Sequence, residues 1–155
     1  TQVTLVDGVV EVGTATSTKN IGIFNGVFIS KDPSTGKPKW SNFYSQTNVA
    51  TGETIEAYVY DDPNQLYEVQ MGGTATLAAA ALGNNIDSVA GSGSTINGQS
   101  TSTLATAITG SGATAQFRVI RASQDPENSD TGSSHCNYIV KFNEHLYLTT
   151  TGSSA

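Results

Sequence analysis

Apolar and polar residues alternate along this chain in short runs, and each run is cut by turn-forming residues. The clearest case is ETIEAYVYDDPNQLYEVQ, residues 53–70. Ile55, Tyr58, Val59 and Tyr60 form one β-branched and aromatic run, and Leu66, Tyr67 and Val69 form a second. Between them stands Asp61-Asp62-Pro63-Asn64. Asp and Asn side chains bond their own backbone in turns, and Pro pre-sets φ and has no N–H for a sheet ladder. The pattern predicts strand, turn, strand. AQFRVIRA (115–122) sets Phe117 and Val119 against Arg118 and Ile120-Arg121, and NYIVKF (137–142) places Tyr138, Val140 and Phe142 on one face. Both are strand patterns, because side chains alternate faces along a strand.

The remaining segments are weaker. Val3, Leu5, Val9, Val10 and Val12 flank Asp7-Gly8, a hairpin-type turn, so residues 1–20 read as an N-terminal arm or edge hairpin ending in the linker TATSTKN. IGIFNGVFIS (21–30) is apolar, with Asn25-Gly26 as a turn or a bulge at its centre. KDPSTGKPK (31–39) is a loop, followed at once by the aromatics of WSNFY (40–44). TLAAAALG (76–83) is the one helical signal, rich in Ala and Leu and closed by Gly83, and predicts about two turns over 76–82. Val89, Ile96, Leu104 and Ile108 recur within a Gly/Ser/Thr-rich stretch, as in short strands joined by turns, although the composition also permits a flexible surface loop. LYLTTT after His145 reads as a last extended piece, and residues 151–155 as a frayed tail. The expected fold is mainly β: one domain over 21–150, a β-barrel or β-sandwich with at most one short helix.

Charge narrows the function. Charged residues are 13% of the chain, about half the usual share. The formal net charge is −6, and Asp87 is the only charged residue between Val69 and Phe117. Without a basic stripe, nucleic acid is not an expected partner. Cys136 is the only cysteine, so an intramolecular disulfide is impossible. With no signal peptide, no apolar run near membrane-spanning length and no Asn-x-Ser/Thr acceptor visible, a soluble chain made in a reducing compartment is expected, with no membrane partner.

Chemistry is sparse. There is no G-x-S-x-G elbow and no phosphate-binding glycine loop. His135 and Cys136 are adjacent, which on a strand points them apart, so Cys136 reads as a structural thiol. His135, His145, Glu127, Asp130 and Glu144 match no zinc or calcium spacing, and QDPENSD (124–130) reads as a capped turn rather than a calcium loop. Asp61-Asp62 is a carboxylate pair, but neighbours in a D-D-P turn start turns more readily than they flank a substrate. No enzyme activity, metal or cofactor is expected. Trp40, Phe43 and Tyr44 are open to three readings: core, protein interface or glycan platform. Glu53, Glu56, Asp61, Asp62 and Glu68 run without an intervening cation, either as a solvated face or as a complement to a basic partner.

Three segments taken in order resemble the capsid decoration (cement, head-stabilising) proteins of tailed bacteriophages: Tyr60-Asp61-Asp62-Pro63 with Glu68-Val69-Gln70, then Arg121 with Asp125-Pro126-Glu127-Asn128, then Asn143-Glu144-His145. The resemblance covers most of residues 21–150. It implies a non-enzymatic virion protein, made in the host cytoplasm, that binds the outside of a shell of major capsid protein, with a dimer or trimer possible. The matched residues are expected to define the fold rather than touch the capsid. SQDPENSDTGSSHCN and the first 20 residues depart from the family pattern. A tail or fibre adhesin domain and a carbohydrate-binding module are the alternatives. The apolar residues of the N-terminal stretch are too many for a free tail. Val3, Leu5, Val9 and Val10, with Trp40, Phe43 and Tyr44, are therefore the expected capsid-interface residues.

Overall fold

Two adjacent strands fill the centre of the molecule, β10 (Phe117–Ala122) and β11 (Asn137–Phe142). The computed structural model describes residues 1–14, 20–73, 81–109 and 115–148. β10 and β11 pair antiparallel, Phe117 opposite Phe142 and Val119 opposite Val140, with a bulge between Val119 and Arg121. The alternation read from sequence is the alternation of burial: Phe117, Val119, Tyr138, Val140 and Phe142 are buried, while Arg118 and Arg121 are exposed. Each such side chain contributes about 1.5–3 kcal/mol on burial. β6 (Leu66–Gln70) flanks β11 and β7 (Asn85–Ile86) flanks β10, giving the order β6-β11-β10-β7. Met71, Ile86, Leu104 and Cys136 complete this core.

A second sheet holds the N-terminal third. It comprises β1 (Gln2–Val6), β2 (Val9–Val12), β3 (Asn20–Ile29), β4 (Lys39–Ser41) and β5 (Ile55–Tyr60). β3 is its spine. β1 and β4 pair with β3, β5 pairs with β3 as well, and β2 lies outside β1. β8 (Ser88–Val89) and β9 (Thr103–Leu104) form a separate ribbon. All strand pairs are antiparallel, with isolated parallel bridges at Asn20–His145 and Met71–Leu104. The fold is therefore mainly β and sandwich-like, and its sheets do not close into a barrel.

The turn at 61–65 has an unexpected job. β5 and β6 on either side of it do not pair with each other, and the turn instead carries the chain from one sheet to the other. Its local chemistry is the one the residues predict: the Asn64 N–H donates to Asp62 Oδ1 at 2.8 Å and the Gln65 N–H to the Asp62 carbonyl at 3.1 Å. Asp7-Gly8 closes a two-residue hairpin between Val6 and Val9, with φ of 49° and 78°, the signature of a type I′ turn. Asn25-Gly26 is a bulge within β3 rather than a turn, marked by the register shift between Phe24 and Gly26. Asp32 is buried and accepts from the N–H groups of Ser34 and Thr35 and from Lys39 Nζ at 3.1 Å. The Lys39 bond, then those backbone donors, hold its carboxyl below the ordinary value.

Two expectations change, and others lie beyond what the structure describes. Leu146–Leu148 is a 3-10 turn rather than an extended piece, because the Leu148 N–H closes on the His145 carbonyl at 2.9 Å. Ile96 belongs to no strand and stands 94% exposed on a tight turn, whereas Val89 and Leu104 sit in β8 and β9 and Ile108 packs on the core. The predicted helix over 76–82 falls mostly, and the frayed tail at 151–155 wholly, outside the described residues, as does most of the linker before β3.

Candidate functional site

One face of the N-terminal sheet opens into a cleft of about 690 Å³. Its lining is apolar in character. Val3 comes from β1, Val9, Val10 and Val12 from β2, Phe24 and Val27 from β3, and Ile55 and Ala57 from β5. Phe43 and Tyr44 form one wall, and the loop Gly93–Gly98 forms the other. Among the described lining residues, Glu11 is the only charged side chain. The loop is held locally: Ser94 Oγ accepts from the N–H groups of Ile96 and Asn97 at 3.2 and 3.4 Å, and Thr101 Oγ1 donates to the Ser92 carbonyl at 2.6 Å. At Gly98 (φ 73°) a Cβ would lie 2.6 Å from the Asn42 carbonyl oxygen, so only glycine lets the two walls touch there.

Of the seven residues expected at an interface, Val3, Val9, Val10, Phe43 and Tyr44 meet at this cleft. Val3 is buried beneath it, whereas Val9 and Tyr44 are 61% and 48% exposed. Leu5 is half-buried opposite Val10 in the hairpin and does not line the cleft. Trp40 is elsewhere. It pairs with Phe28, whose neighbour Val27 faces the cleft, so Trp40 is on the opposite sheet face. There it is half exposed, edge-to-face with Tyr58 at 5.0 Å, its indole N–H donating to Asn42 Oδ1 at 3.1 Å. No local pattern signals that Phe24, Ile55 or the Gly93–Gly98 loop lies beside the hairpin. Nor does a single isoleucine in a Gly/Ser stretch signal that Ile96 stands exposed on the loop that walls the cleft.

The residues behind the family resemblance gather at two other places, and both are structural in their bonding. At the first, Asn20 Nδ2 donates to the Glu144 carbonyl at 3.3 Å and the Asn143 side chain bonds the Ala115 carbonyl at 3.0 Å and Arg118 at 3.2 Å. His145 is fully buried there, its Nδ1 accepting from the Tyr147 N–H at 3.2 Å and its ring 5.7 Å from Phe142. Tyr147 reaches Asp61 Oδ2 at 3.4 Å, which ties this segment to the Tyr60–Pro63 turn. The Tyr67 hydroxyl, donating to the Tyr60 carbonyl at 3.3 Å, is pushed up to about 12 by burial and then by Asp62 and Asp61. At the second, Glu68 Oε1 accepts from Ser123 Oγ at 2.7 Å and Asn137 Nδ2 at 3.1 Å. Asp125 Oδ1 takes the Glu127 N–H at 3.1 Å, and the Asn128 N–H closes on the Asp125 carbonyl at 3.0 Å around Pro126. The capped-turn reading of QDPENSD thus describes its bonding. Arg121 is exposed.

The acidic run proves to be mostly engaged within the chain. Glu53 meets Lys31 at 3.9 Å and Ser30 at 2.9 Å, Asp62 caps its own turn, and Glu68 is bonded as above. Cys136 is a buried free thiol, and His135 beside it is exposed with φ 64°. Among the described residues, no cluster of three or more His, Cys, Asp or Glu could hold a metal ion, and no helix is long and apolar enough to cross a membrane.

His145 makes stability depend on pH. Burial pushes its pKa below the ordinary 6.5, with the backbone of Ile21, the carboxylates of Asp61 and Asp62 and the Asp61 backbone pulling partly the other way. The unfolded chain therefore takes up this proton first as pH falls. The stabilisation from neutral His145 is complete above the unfolded pKa and declines below about pH 6.5, down to the folded value. Urea midpoints measured from pH 8 to pH 5 should fall in wild type and fall less steeply in His145→Gln. Equal slopes in the two proteins would contradict this assignment.

Comparison with protein-family models, curated proteins and solved structures returned no match for this chain.

Proposed function

We propose that this chain is a virion structural protein that binds the outer surface of a shell of major capsid protein and stabilises the head. One observation carries the reading furthest. Two segments far apart in sequence, the hairpin of Val3, Val9 and Val10 and the aromatic loop of Phe43 and Tyr44, were singled out as interface residues, and they line a single apolar cleft. Among its lining residues, Val9, Val12, Tyr44 and Ile55 are large apolar side chains left in water. Aromatic and aliphatic anchors in and around a concave site are what protein interfaces concentrate. The resemblance in the three ordered motifs supplies the partner class. A modest contact repeated over a lattice gains by multivalency, and a protein that binds the assembled shell but not its separate subunits stabilises the shell by mass action.

The test uses exposed residues, because β1 is hydrogen-bonded into the sheet and Val3 is buried. Deleting the N-terminal segment would therefore confound folding with binding. Val9→Lys and Tyr44→Ala should each leave the melting temperature nearly unchanged and weaken co-sedimentation with purified shells of the parent virion by about tenfold or more, the effect of an interface anchor worth at least 1.4 kcal/mol. Trp40→Ala, on the opposite face, serves as the control. Full shell binding by both cleft variants would remove the cleft from the interface. Binding of the wild-type chain to a glycan array, with no binding to shells, would replace the capsid reading with the adhesin or carbohydrate-module one.

A further inference from the structure

Among the described residues, strand β5 has an edge that nothing covers. It pairs with β3 only. The Ser30 N–H donates to the Thr54 carbonyl at 3.3 Å, and Phe28 and Gly26 stand opposite Glu56 and Tyr58. In an antiparallel ladder the hydrogen-bonded residues alternate, so Glu56 and Tyr58 turn their N–H and C=O groups towards β3. Those of Ile55, Ala57 and Val59 turn outward. Among the described residues, no hydrogen bond takes up these outward groups.

The faces of β5 are as open as its edge. None of its six residues is buried, and Ile55, Tyr58 and Tyr60 are 38%, 46% and 55% exposed. β6, one edge strand of the other sheet, packs Tyr67 and Val69 on the core. Neither Lys nor Pro interrupts β5, and Glu56 is the one charge within it, so an edge usually blunted by such residues is guarded here by a single carboxylate. One face of β5 already forms part of the cleft through Ile55 and Ala57, and the other carries Tyr58 against Trp40. An added strand would meet apolar surface on both sides.

We propose that the outer edge of β5 receives an extended segment of a partner protein as an added strand, and that this segment bears lysine or arginine. Charge selects the occupant. Of the acidic groups along or beside the strand, Glu53 is paired with Lys31 and Asp62 caps its own turn, which leaves Glu56 and Asp61 to face a partner, with no Lys or Arg between Glu53 and Glu68. Glu56 is exposed in the middle of the strand, directly opposite Phe28, and Asp61 is exposed at its end. Opposite charges across a strand pair stabilise and like charges destabilise. A second copy of this chain would bring two such acidic edges together, on molecules each of net charge −6. A basic extended segment gains from the same groups, and main-chain hydrogen bonds supply the register. The proposal does not rest on the capsid reading, and its test uses no shell.

The strand itself provides the experiment. Ala57→Pro removes an N–H that makes no bond among the described residues, and proline is tolerated on an edge strand where that N–H faces outward. The probe is a fluorescent, end-capped peptide of alternating lysine and valine, compared with its glutamate–valine counterpart by anisotropy. Hydrogen exchange on the full chain follows the amides of Ile55, Ala57 and Val59. The lysine peptide should bind at least about tenfold tighter than the glutamate peptide, protect those amides, and lose about tenfold in affinity for Ala57→Pro at unchanged melting temperature. Glu56→Lys, a surface change, should reverse the peptide preference and so decides the matter even if the proline variant folds poorly. Equal binding of both peptides, or undiminished binding to a folded Ala57→Pro, would overturn the proposal. So would concentration-dependent dimerisation that protects β5, which would make a second copy the occupant.

Discussion

Gly22→Ala should come close to abolishing the folded state. Gly22 lies in β3 with φ 147°, a backbone conformation that residues with a Cβ rarely adopt. A Cβ there would also stand 1.9 Å from the carbonyl oxygen of Tyr60 and 2.9 Å from Val59 Cγ1. The first contact is with backbone, so no side-chain rotation relieves it, and β5 would have to leave β3. Backbone strain of about 1–3 kcal/mol and overpacking of similar size together put the loss at about 4 kcal/mol, a large fraction of a small domain's stability. Gly36→Ala is the control, since its φ is 67° and nothing lies within 4 Å of the new methyl. It should cost only about 1–2 kcal/mol, the left-handed penalty alone. Urea denaturation of the two variants separates the effects. If Gly22→Ala is no worse than Gly36→Ala, β5 does not approach β3 as closely as described.

The second large effect is expected at Phe142. Its ring is fully buried, stacked on Phe117 at 4.7 Å and edge-on to Tyr67 and His145 at 5.5 and 5.7 Å. Phe142→Ala should cost about 3–5 kcal/mol, because neighbours on paired strands cannot collapse into the space. Phe142→Leu should cost less, about 1.5 kcal/mol, as a change that keeps more of the volume. Trp40→Ala provides the contrast. It removes a half-exposed ring and one aromatic pair, so its cost should lie near the 0.5–1.5 kcal/mol of such a pair, about a third or less of the Phe142 effect. Thermal or chemical denaturation ranks the three. A Trp40→Ala loss as large as that of Phe142→Ala would place Trp40 in a core rather than on an open sheet face.

The contrast between these side chains shows what local pattern can convey. Phe117, Val119, Tyr138, Val140 and Phe142 announced themselves because a strand buried on one face must alternate, and alternation is a property of neighbouring residues. The turns at Asp7-Gly8, Asp62-Pro63 and Asp125-Pro126 were legible for the same reason: the first needs two left-handed residues, and the other two bond their own backbone within three residues. Mainly β class, strand positions and turn chemistry therefore came from the chain alone. The tertiary structure decided everything that joins distant segments. It made the 61–65 turn a crossing between sheets, set His145 beside Asn20, and brought the Gly93–Gly98 loop against Phe43 and Tyr44. It also put Trp40 on the far side of the sheet from those two aromatics, left Ile96 in water, and opened the edge of β5. None of these has a local signature, because which strand pairs with which is set by burial summed over the whole chain. A strand's own residues specify that it must pair and bury a face; only its neighbours in space determine whether an edge or a face remains for a partner.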